Sequence, residues 1–188
     1  FTSPPRMLIF GAIDFAAALA RLGSFMGYRV TVCDARSLFA TKARFPEADD
    51  VVVDWPHKYL AKVDVDSRTV ICVLTHDPKF DVPVLKEALN SGAAYIGVMG
   101  SRRTHADRHQ RLREQGITEE QLLRLSSPIG LDLGARTAEE TAISIGAEII
   151  AQRTGATGRP LAELTTSIHR PTSSRSQQQP ALMQHQPR

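Results

Sequence analysis

The sequence predicts an α/β domain built on a doubly wound, mostly parallel sheet with helices on both faces. Three observations support this fold class. Short apolar runs alternate with helix-length amphipathic segments, which is the pattern of repeated βαβ units. The runs at residues 69–74 and 95–99 are apolar at nearly every position, as expected of strands that helices cover on both faces. Glycines and capping residues mark the ends of several helical segments.

Each element follows from a local pattern. The first apolar run, residues 7–10, leads through Gly11 into a helix expected over residues 14–26, which Gly27 ends. Two capping boxes, residues 118–121 and 137–140, begin later helices because their side chains satisfy free backbone N–H groups in the first turn. The other strands are expected at residues 29–33, 50–53, 69–74 and 95–99, and the other helices at residues 81–90, 102–115, 118–125 and 141–153.

Composition limits the classes of function. The formal net charge of +3 comes entirely from residues 155–188, which contain four arginines and one glutamate. The preceding residues are electrically balanced, which argues against a nucleic-acid partner, since such binding needs clustered basic side chains. We expect one domain over residues 1–154 and a C-terminal extension over residues 155–188, disordered from about residue 171, where apolar residues are scarce.

Cysteine usage and hydropathy indicate a compartment. Cys33 and Cys72 lie within apolar strand runs, where free thiols behave as small buried hydrophobes. Unpaired thiols suit a reducing environment, so we expect a cytoplasmic protein. No apolar run approaches the roughly 20 residues that cross a bilayer, so no membrane partner is expected.

A ligand crevice is expected beyond the carboxyl ends of the strands. Gly11 and Ala12 begin the sequence GAIDFA, which follows the dinucleotide fingerprint G-x-G-x-x-G/A except that Ile13 replaces the second glycine. A β-branched side chain at this position obstructs the approach of a pyrophosphate to the backbone. The alternative to a dinucleotide site is that this segment is a tight strand-to-helix turn that binds no phosphate. Asp34, after the second strand, is placed to accept hydrogen bonds from ribose hydroxyls, with Arg36 two residues on; alternatively it is a turn aspartate satisfied by local amides.

Polar, titratable residues follow the strand at residues 69–74. Thr75, His76 and Asp77 come directly after it, and Asp81 stands at the expected start of the next helix. These groups can donate, accept or transfer protons to a ligand. The alternative is that Asp81 caps its helix and His76 is a hydrogen-bonded residue at the rim.

An anion site is expected after the strand at residues 95–99. Gly100, Ser101, Arg102 and Arg103 combine free amides at a helix start with a hydroxyl and two guanidinium groups, which suits phosphate or another oxyanion. The alternative is that Arg102 and Arg103 pair with nearby acids on a solvated helix. Farther along the helix, we interpret three more arginines as a solvated face and not as part of a site. These are Arg108, Arg111 and Arg113.

Two further features are candidates for a site. His105 and His109 have the i, i+4 spacing that can share a metal, but no third ligand is evident, so no metal is expected. Gly130 lies in the glycine-punctuated segment 128–134, which we expect to approach a ligand; alternatively this segment is a turn that packs Ile129 and Leu131 into the core.

Six segments, in the same order along the chain, resemble the C-terminal Rossmann domain of the XdhC/CoxI family. Members of this family are accessory proteins of molybdenum hydroxylases such as xanthine dehydrogenase and carbon monoxide dehydrogenase. The chain departs from the family pattern at Ile13 and Asp14, where a glycine and a histidine are common. The segments are IFGA (residues 9–12), VTVCDAR (30–36), RFPEAD (44–49), LTHDPKFD (74–81), YIGVMGSRR (95–103) and PIGLDLGARTAEETAISIGAEI (128–149).

The resemblance implies a function. Such proteins bind the molybdenum cofactor, molybdopterin, protect it while its sulfido ligand is installed, and pass it to the apo-hydroxylase. The implied partners are the apo molybdenum hydroxylase, a sulfur-donating desulfurase and, optionally, a second copy in a homodimer. This role is that of a non-catalytic assembly chaperone. Two alternatives stay open: an NAD(P)-dependent oxidoreductase, which Asp34 favours and Ile13 disfavours, and a nucleotide-sensing regulatory module.

Overall fold

The fold is a six-stranded, entirely parallel sheet in the order β3-β2-β1-β4-β5-β6, as described by a computed structural model for residues 2–169. The chain crosses over between β3 and β4, so the strand order reverses between β1 and β4. This confirms the predicted Rossmann-like class. The strands are β1 Arg6–Phe10, β2 Arg29–Asp34, β3 Asp50–Val53, β4 Val70–Val73, β5 Tyr95–Val98 and β6 Leu125–Ser126.

Between residues 2 and 169, six α-helices cover the sheet on its two faces. Helices α1 and α6 pack against one apolar core, and the other helices pack against a second core on the opposite face. The central strand β1 alternates between them, because Met7 and Ile9 face the first core and Leu8 and Phe10 the second. The helices are α1 Asp14–Phe25, α2 Pro56–Lys62, α3 Pro78–Leu89, α4 Arg102–Glu114, α5 Glu119–Leu122 and α6 Ala138–Thr154.

The structure differs from the sequence prediction in three elements. Helix α2, which begins with a proline after Trp55, has no counterpart among the predicted helices. The helix expected over residues 118–125 is a single turn, α5, after which Leu125 and Ser126 pair with β5 as the sixth strand. Helix α3 begins at Pro78 and not at Asp81, since the Asp77 side chain caps it. The two predicted capping boxes are present at the starts of α5 and α6.

The chain forms two compact units, which are separated after Gly158 because most residue contacts lie within one unit or the other. Within the second unit, residues 159–169 are described and contain one short 3-10 turn, Leu161–Glu163. The segment predicted to be disordered from about residue 171 lies outside the described residues. Between residues 2 and 169, no helix has the length and apolar character needed to cross a bilayer.

Candidate functional site

Two clefts open at the carboxyl edge of the sheet, where the sequence predicts the ligand site. The first, the β2/β4 cleft, has a volume of about 290 Å³. The second, the α4 cleft, is more open and has a volume of about 760 Å³. The β2/β4 cleft is lined by Ile13, Asp34, Arg36, Pro56, Thr75, His76, Asp77, Lys79 and Phe80, and the α4 cleft by Arg102, His105, Ser127, Pro128, Ile129, Gly130, Leu131 and Asp132.

The turn after β1 is tight and depends on Gly11. Its φ is +113°, and a Cβ atom there would lie 3.0 Å from the backbone nitrogen of Thr75. Only glycine, which has no Cβ atom, can adopt this φ and also let the backbone of Thr75 approach so closely. Ile13 then precedes α1 at the cap position and lines the β2/β4 cleft, so the second fingerprint position presents an aliphatic side chain to the cleft.

Asp34 is engaged by neighbouring protein groups. Its carboxylate accepts hydrogen bonds from the Ala12 backbone amide at 2.8 Å and from Nε and Nη2 of Arg36 at 2.9 and 2.8 Å. Burial raises the pKa of Asp34, but the hydrogen bonds from Arg36 and Ala12 outweigh that effect and hold the pKa below its usual value. The carboxylate therefore clamps the start of α1 to the loop after β2, and both of its oxygens are already paired.

A buried ion pair lies behind the β2/β4 cleft. Nη2 of Arg108 donates to Oδ2 of Asp81 at 3.0 Å, and each side chain is only 3% exposed. The Thr75 hydroxyl donates to the other oxygen of Asp81. Burial raises the pKa of Asp81 to about 6, although the Arg108 hydrogen bond opposes the rise. Asp81 thus holds Thr75 in place from behind and does not itself line either cleft.

Arg108 is buried, and its predicted place on a solvated face is therefore wrong. Besides Asp81, it donates to the carbonyl oxygen of Met99 at 3.0 Å and to Oγ of Ser127 at 3.4 Å, so it joins α3 to the loops after β5 and β6. In the sequence, Arg108 stands four residues before the apolar Leu112, which is buried in the structure. Residues four apart lie on the same helix face, so this spacing was the signal that Arg108 faces the core. The other two arginines, Arg111 and Arg113, do form half-exposed ion pairs, with Asp107 and Glu119.

His76 and Asp77 occupy the rim of the β2/β4 cleft. His76 is exposed. Asp77 caps α3 by accepting a hydrogen bond from the Lys79 amide at 3.0 Å. The alternative in which Asp81 is the cap is therefore wrong, because Asp77 takes that position. Lys79 and Phe80 complete this wall and are not singled out by any sequence pattern.

The start of α4 is a serine-capped turn that, within the described part of the chain, leaves backbone amides unpaired. Gly100 has a φ of +155°, and a Cβ atom there would lie 3.3 Å from the guanidinium of Arg108. Oγ of Ser101 caps the helix by accepting from the Thr104 amide at 3.2 Å. Among residues 2–169 no hydrogen bond occupies the backbone amides of Arg102 and Arg103. Arg102 lines the α4 cleft, whereas Arg103 is exposed outside it.

The segment around Gly130 forms the far wall of the α4 cleft. Gly130 has a φ of +100°, and a Cβ atom there would meet Oγ of Ser144 at 2.5 Å. Its amide donates to Oε1 of Glu148 at 3.2 Å, and the Tyr95 hydroxyl donates to the same oxygen at 2.6 Å. Ile129 is partly buried against the core, as the alternative interpretation expected, whereas Leu131 lines the cleft and is not among the residues packed against the core. The segment thus both packs against the core and lines the cleft.

Histidine and cysteine side chains form no metal cluster in the part of the chain that the structure describes. The rings of His105 and His109 lie 3.9 Å apart between centroids, without a third ligand. Both cysteines are buried. Burial raises the pKa of Cys33 and of Cys72 to about 12, so neither is a thiolate near neutral pH.

Comparison with known proteins identifies relatives. The family model described as the XdhC Rossmann domain matches residues 7–149. The chain is 32% identical over 149 residues to a protein of Bacillus subtilis (strain 168) named as a probable xanthine dehydrogenase subunit, and the match covers 79% of this chain and 43% of that protein. It is 30% identical over 148 residues to the molybdenum cofactor insertion chaperone PaoD of Escherichia coli (strain K12), and this match covers 79% of this chain and 40% of that protein.

A solved structure agrees with these matches. A xanthine dehydrogenase from Bacillus halodurans aligns with a TM-score of 0.71 and 30% identity over 88% of this chain and 46% of that chain. The chain thus spans less than half the length of each of these three proteins. The family model extends over most of the sequence, from β1 to α6, and the resemblance seen in the six sequence segments is confirmed. The chain therefore belongs to the XdhC family, whose Rossmann domain it matches.

Proposed function

We propose that this chain binds the molybdenum cofactor and assists its insertion into a molybdenum hydroxylase, as an accessory domain and not as an enzyme. One relative is named a molybdenum cofactor insertion chaperone, and another a xanthine dehydrogenase subunit. The geometric observation that carries the proposal is the start of α4, where free amides and Arg102 border the α4 cleft.

The turn at α4 suits the phosphate of the cofactor. The first amides of a 13-residue helix carry partial positive charge, which the helix dipole increases. Arginine adds charge-assisted hydrogen bonds and can grip an oxyanion through two of them. The guanidinium of Arg108 lies close to Gly100, but its charge is paired with Asp81, so the positive charge offered to the phosphate comes from the amides, Arg102 and Arg103. Gly100, Ser101, Arg102 and Arg103 would therefore hold the phosphate, and Gly130 would line the other side.

The β2/β4 cleft suits the pterin. Its polar groups can donate and accept hydrogen bonds along the edge of a heterocycle: Thr75 and His76 follow β4, and Arg36 stands opposite them. Gly11, Ala12 and Asp34 act indirectly, since the Asp34 clamp fixes the position of Arg36 and the start of α1. The cofactor supplies the redox chemistry of the hydroxylase after transfer, and the residues of this chain bind and orient it.

Sulfuration of the cofactor would require sulfur from outside the sequence described. A sulfur-carrying cysteine must be accessible and reactive as a thiolate, and both cysteines of this chain are buried with a pKa of about 12. We therefore keep a desulfurase among the proposed partners, beside an apo-hydroxylase of the xanthine or carbon monoxide dehydrogenase type. A homodimer and a cytoplasmic location are further parts of the proposal.

NAD(P) binding is the weaker candidate. The Gly11 turn would support it, but Ile13 borders the place where a pyrophosphate would approach, and the carboxylate of Asp34 is paired with Arg36. A nucleotide-sensing module meets the same two obstacles. Both candidates therefore rank below a cofactor carrier.

The proposal is tested by purifying the chain from a host that makes molybdopterin. We expect a bound pterin in the absorption spectrum and by mass spectrometry of the released ligand. The variant Arg102→Ala/Arg103→Ala should lower the affinity for molybdopterin by about tenfold or more, since each charge-assisted bond contributes about 1.5–3 kcal/mol. The melting temperature should hardly change, because both side chains are exposed.

A matched control lies on the same helix. Arg111→Ala/Arg113→Ala removes two guanidiniums from exposed ion pairs far from the turn and should leave the affinity unchanged. Equal losses of molybdopterin affinity in the two double variants would show that binding depends only on the total positive charge of α4 and not on the turn at its start. A chain that never carries molybdopterin would overturn the proposed function as a whole.

A further inference from the structure

An aromatic pair stands at the wall of the β2/β4 cleft and is not explained by the fold. Phe80 lines the cleft, and the ring of Trp55 packs against it with the centroids 5.1 Å apart. Trp55 is 39% exposed although it is the largest apolar side chain available. It also occupies the cap position of α2, where Ser, Thr, Asp or Asn would satisfy a free amide and Trp makes no such bond. Neither core packing nor capping therefore accounts for this aromatic wall.

Cations accompany the aromatic rings around this cleft. Nζ of Lys79 lies 4.9 Å from the ring centroid of Phe80, and the guanidinium of Arg36, which also lines the cleft, lies 4.5 Å from the ring centroid of Phe39, which does not line it. The Asp34 clamp holds Arg36 at the cleft. A flat heterocyclic ring with polar edges is the ligand that such surroundings favour, because it can stack on a ring while its edge accepts hydrogen bonds from cations.

The size of the cleft limits the ligand further. About 290 Å³ is at the lower end of the range for small-molecule sites, which suits one fused ring system and not a complete dinucleotide. Ile13 closes the direction in which the fingerprint turn would otherwise receive a pyrophosphate.

We infer that Phe80, backed by Trp55, is the stacking surface for the fused ring system of a pterin bound in the β2/β4 cleft, and that the pterin takes the place over the Phe80 ring where Nζ of Lys79, a side chain 62% exposed, now lies. This inference rests on the proposed function and adds to it two residues and a chemical basis for selecting the ring. The edge of the ring faces Arg36 and His76, which can donate to its nitrogen and oxygen atoms.

Trp55 is the only tryptophan of the chain and provides the assay. Free biopterin is titrated into the protein while the tryptophan fluorescence is recorded, because a pterin stacked on Phe80 lies close enough to quench the adjacent indole. We expect saturable quenching. Phe80→Leu keeps an apolar side chain but removes the ring, and should weaken biopterin binding by about tenfold. Phe80→Tyr keeps the ring and should bind nearly as the parent does.

A control variant addresses non-specific effects. Phe25→Leu removes an aromatic ring that is 87% exposed at the end of α1 and should leave the quenching curve unchanged. Circular dichroism verifies that all three variants keep the fold. Equal biopterin affinity in Phe80→Leu and Phe80→Tyr would overturn the inference, and so would tighter binding of AMP than of biopterin.

The two proposals can fail separately. If the chain co-purifies with molybdopterin but Trp55 fluorescence does not respond to biopterin, the stacking assignment is wrong and the carrier function stands. If molybdopterin never co-purifies and biopterin does not bind, both proposals are refuted.

Discussion

Replacing Arg108 by methionine should destabilise the protein far more than any other substitution of an arginine on α4. Arg108 and Asp81 are each 3% exposed and joined at 3.0 Å, so the variant leaves a buried acid without its partner. Removal of one member of a buried ion pair costs about 3–5 kcal/mol. That is a large fraction of the roughly 5–15 kcal/mol by which a domain is stable. Urea unfolding followed by circular dichroism measures the loss directly.

Two further variants make the Arg108 prediction specific. Arg111→Met breaks a half-exposed pair with Asp107 on the same helix and should cost no more than about 1 kcal/mol. Arg108→Met/Asp81→Leu replaces both charges with apolar groups and should recover most of the loss. If Arg108→Met were as stable as Arg111→Met, the buried ion pair would not be what holds α3 and α4 together.

The pH dependence gives an independent check. The pKa of Asp81 is raised from 3.8 to about 6 in the folded protein, so folding takes up a proton between these values. The contribution of Asp81 to stability is therefore complete below about pH 4 and is lost as the pH rises through about 6, by about 3 kcal/mol in total. Without Arg108 the pKa rises further, so in Arg108→Met the decline should continue to higher pH. Parallel curves of unfolding free energy against pH for the parent and for Arg108→Met would contradict this expectation.

Three other substitutions or treatments test the clefts and the core. Ile13→Gly should tighten NAD binding relative to weak binding by the parent; strong NAD binding to the parent in calorimetry would contradict the obstruction by Ile13. Thiol reagents should modify Cys33 and Cys72 only as fast as the protein unfolds, because both are at most 1% exposed; rapid labelling of the native protein would show otherwise. Gly97→Ala should cost about 1–3 kcal/mol in urea unfolding, since the new Cβ would lie 2.7 Å from the Tyr95 hydroxyl; an unchanged midpoint would show that the neighbours yield freely.

The elements that were predictable are those with strong local signals. Each capping box combines a threonine with an acid or amide three residues later, and this short-range pattern is sufficient to begin a helix at Thr118 and at Thr137. The buried strands β4 and β5 are continuous apolar runs. In both cases the deciding interactions lie within a few residues in sequence.

The elements that were missed depend on distant contacts. The strand β6 has only two residues, and it is defined by pairing of Leu125 and Ser126 with β5, which no local pattern reveals. Arg108 looks like one of a series of solvent-facing arginines until α3 brings Asp81 beside it. Trp55 and Phe80 are 25 positions apart, and only the sheet order places them in contact.

The candidate site was predictable in position but not in detail. The carboxyl ends of β1, β2 and β4 meet at the β2/β4 cleft, as the doubly wound topology requires. The roles of individual acids depend on geometry: Asp34 is paired with Arg36, and Asp81 is buried behind Thr75. An acid in a sequence does not reveal whether a neighbouring cation has already neutralised it.

The Asp34 clamp also bears on how a carrier would release its ligand. The carboxylate ties the amide of Ala12 to the side chain of Arg36, so this part of the cleft is ordered before any ligand arrives. Binding to a preorganised rim loses little conformational entropy, and the residence time then depends on direct contacts with the ligand. An acceptor protein that offers stronger contacts can consequently draw the ligand away by mass action, without an external source of energy.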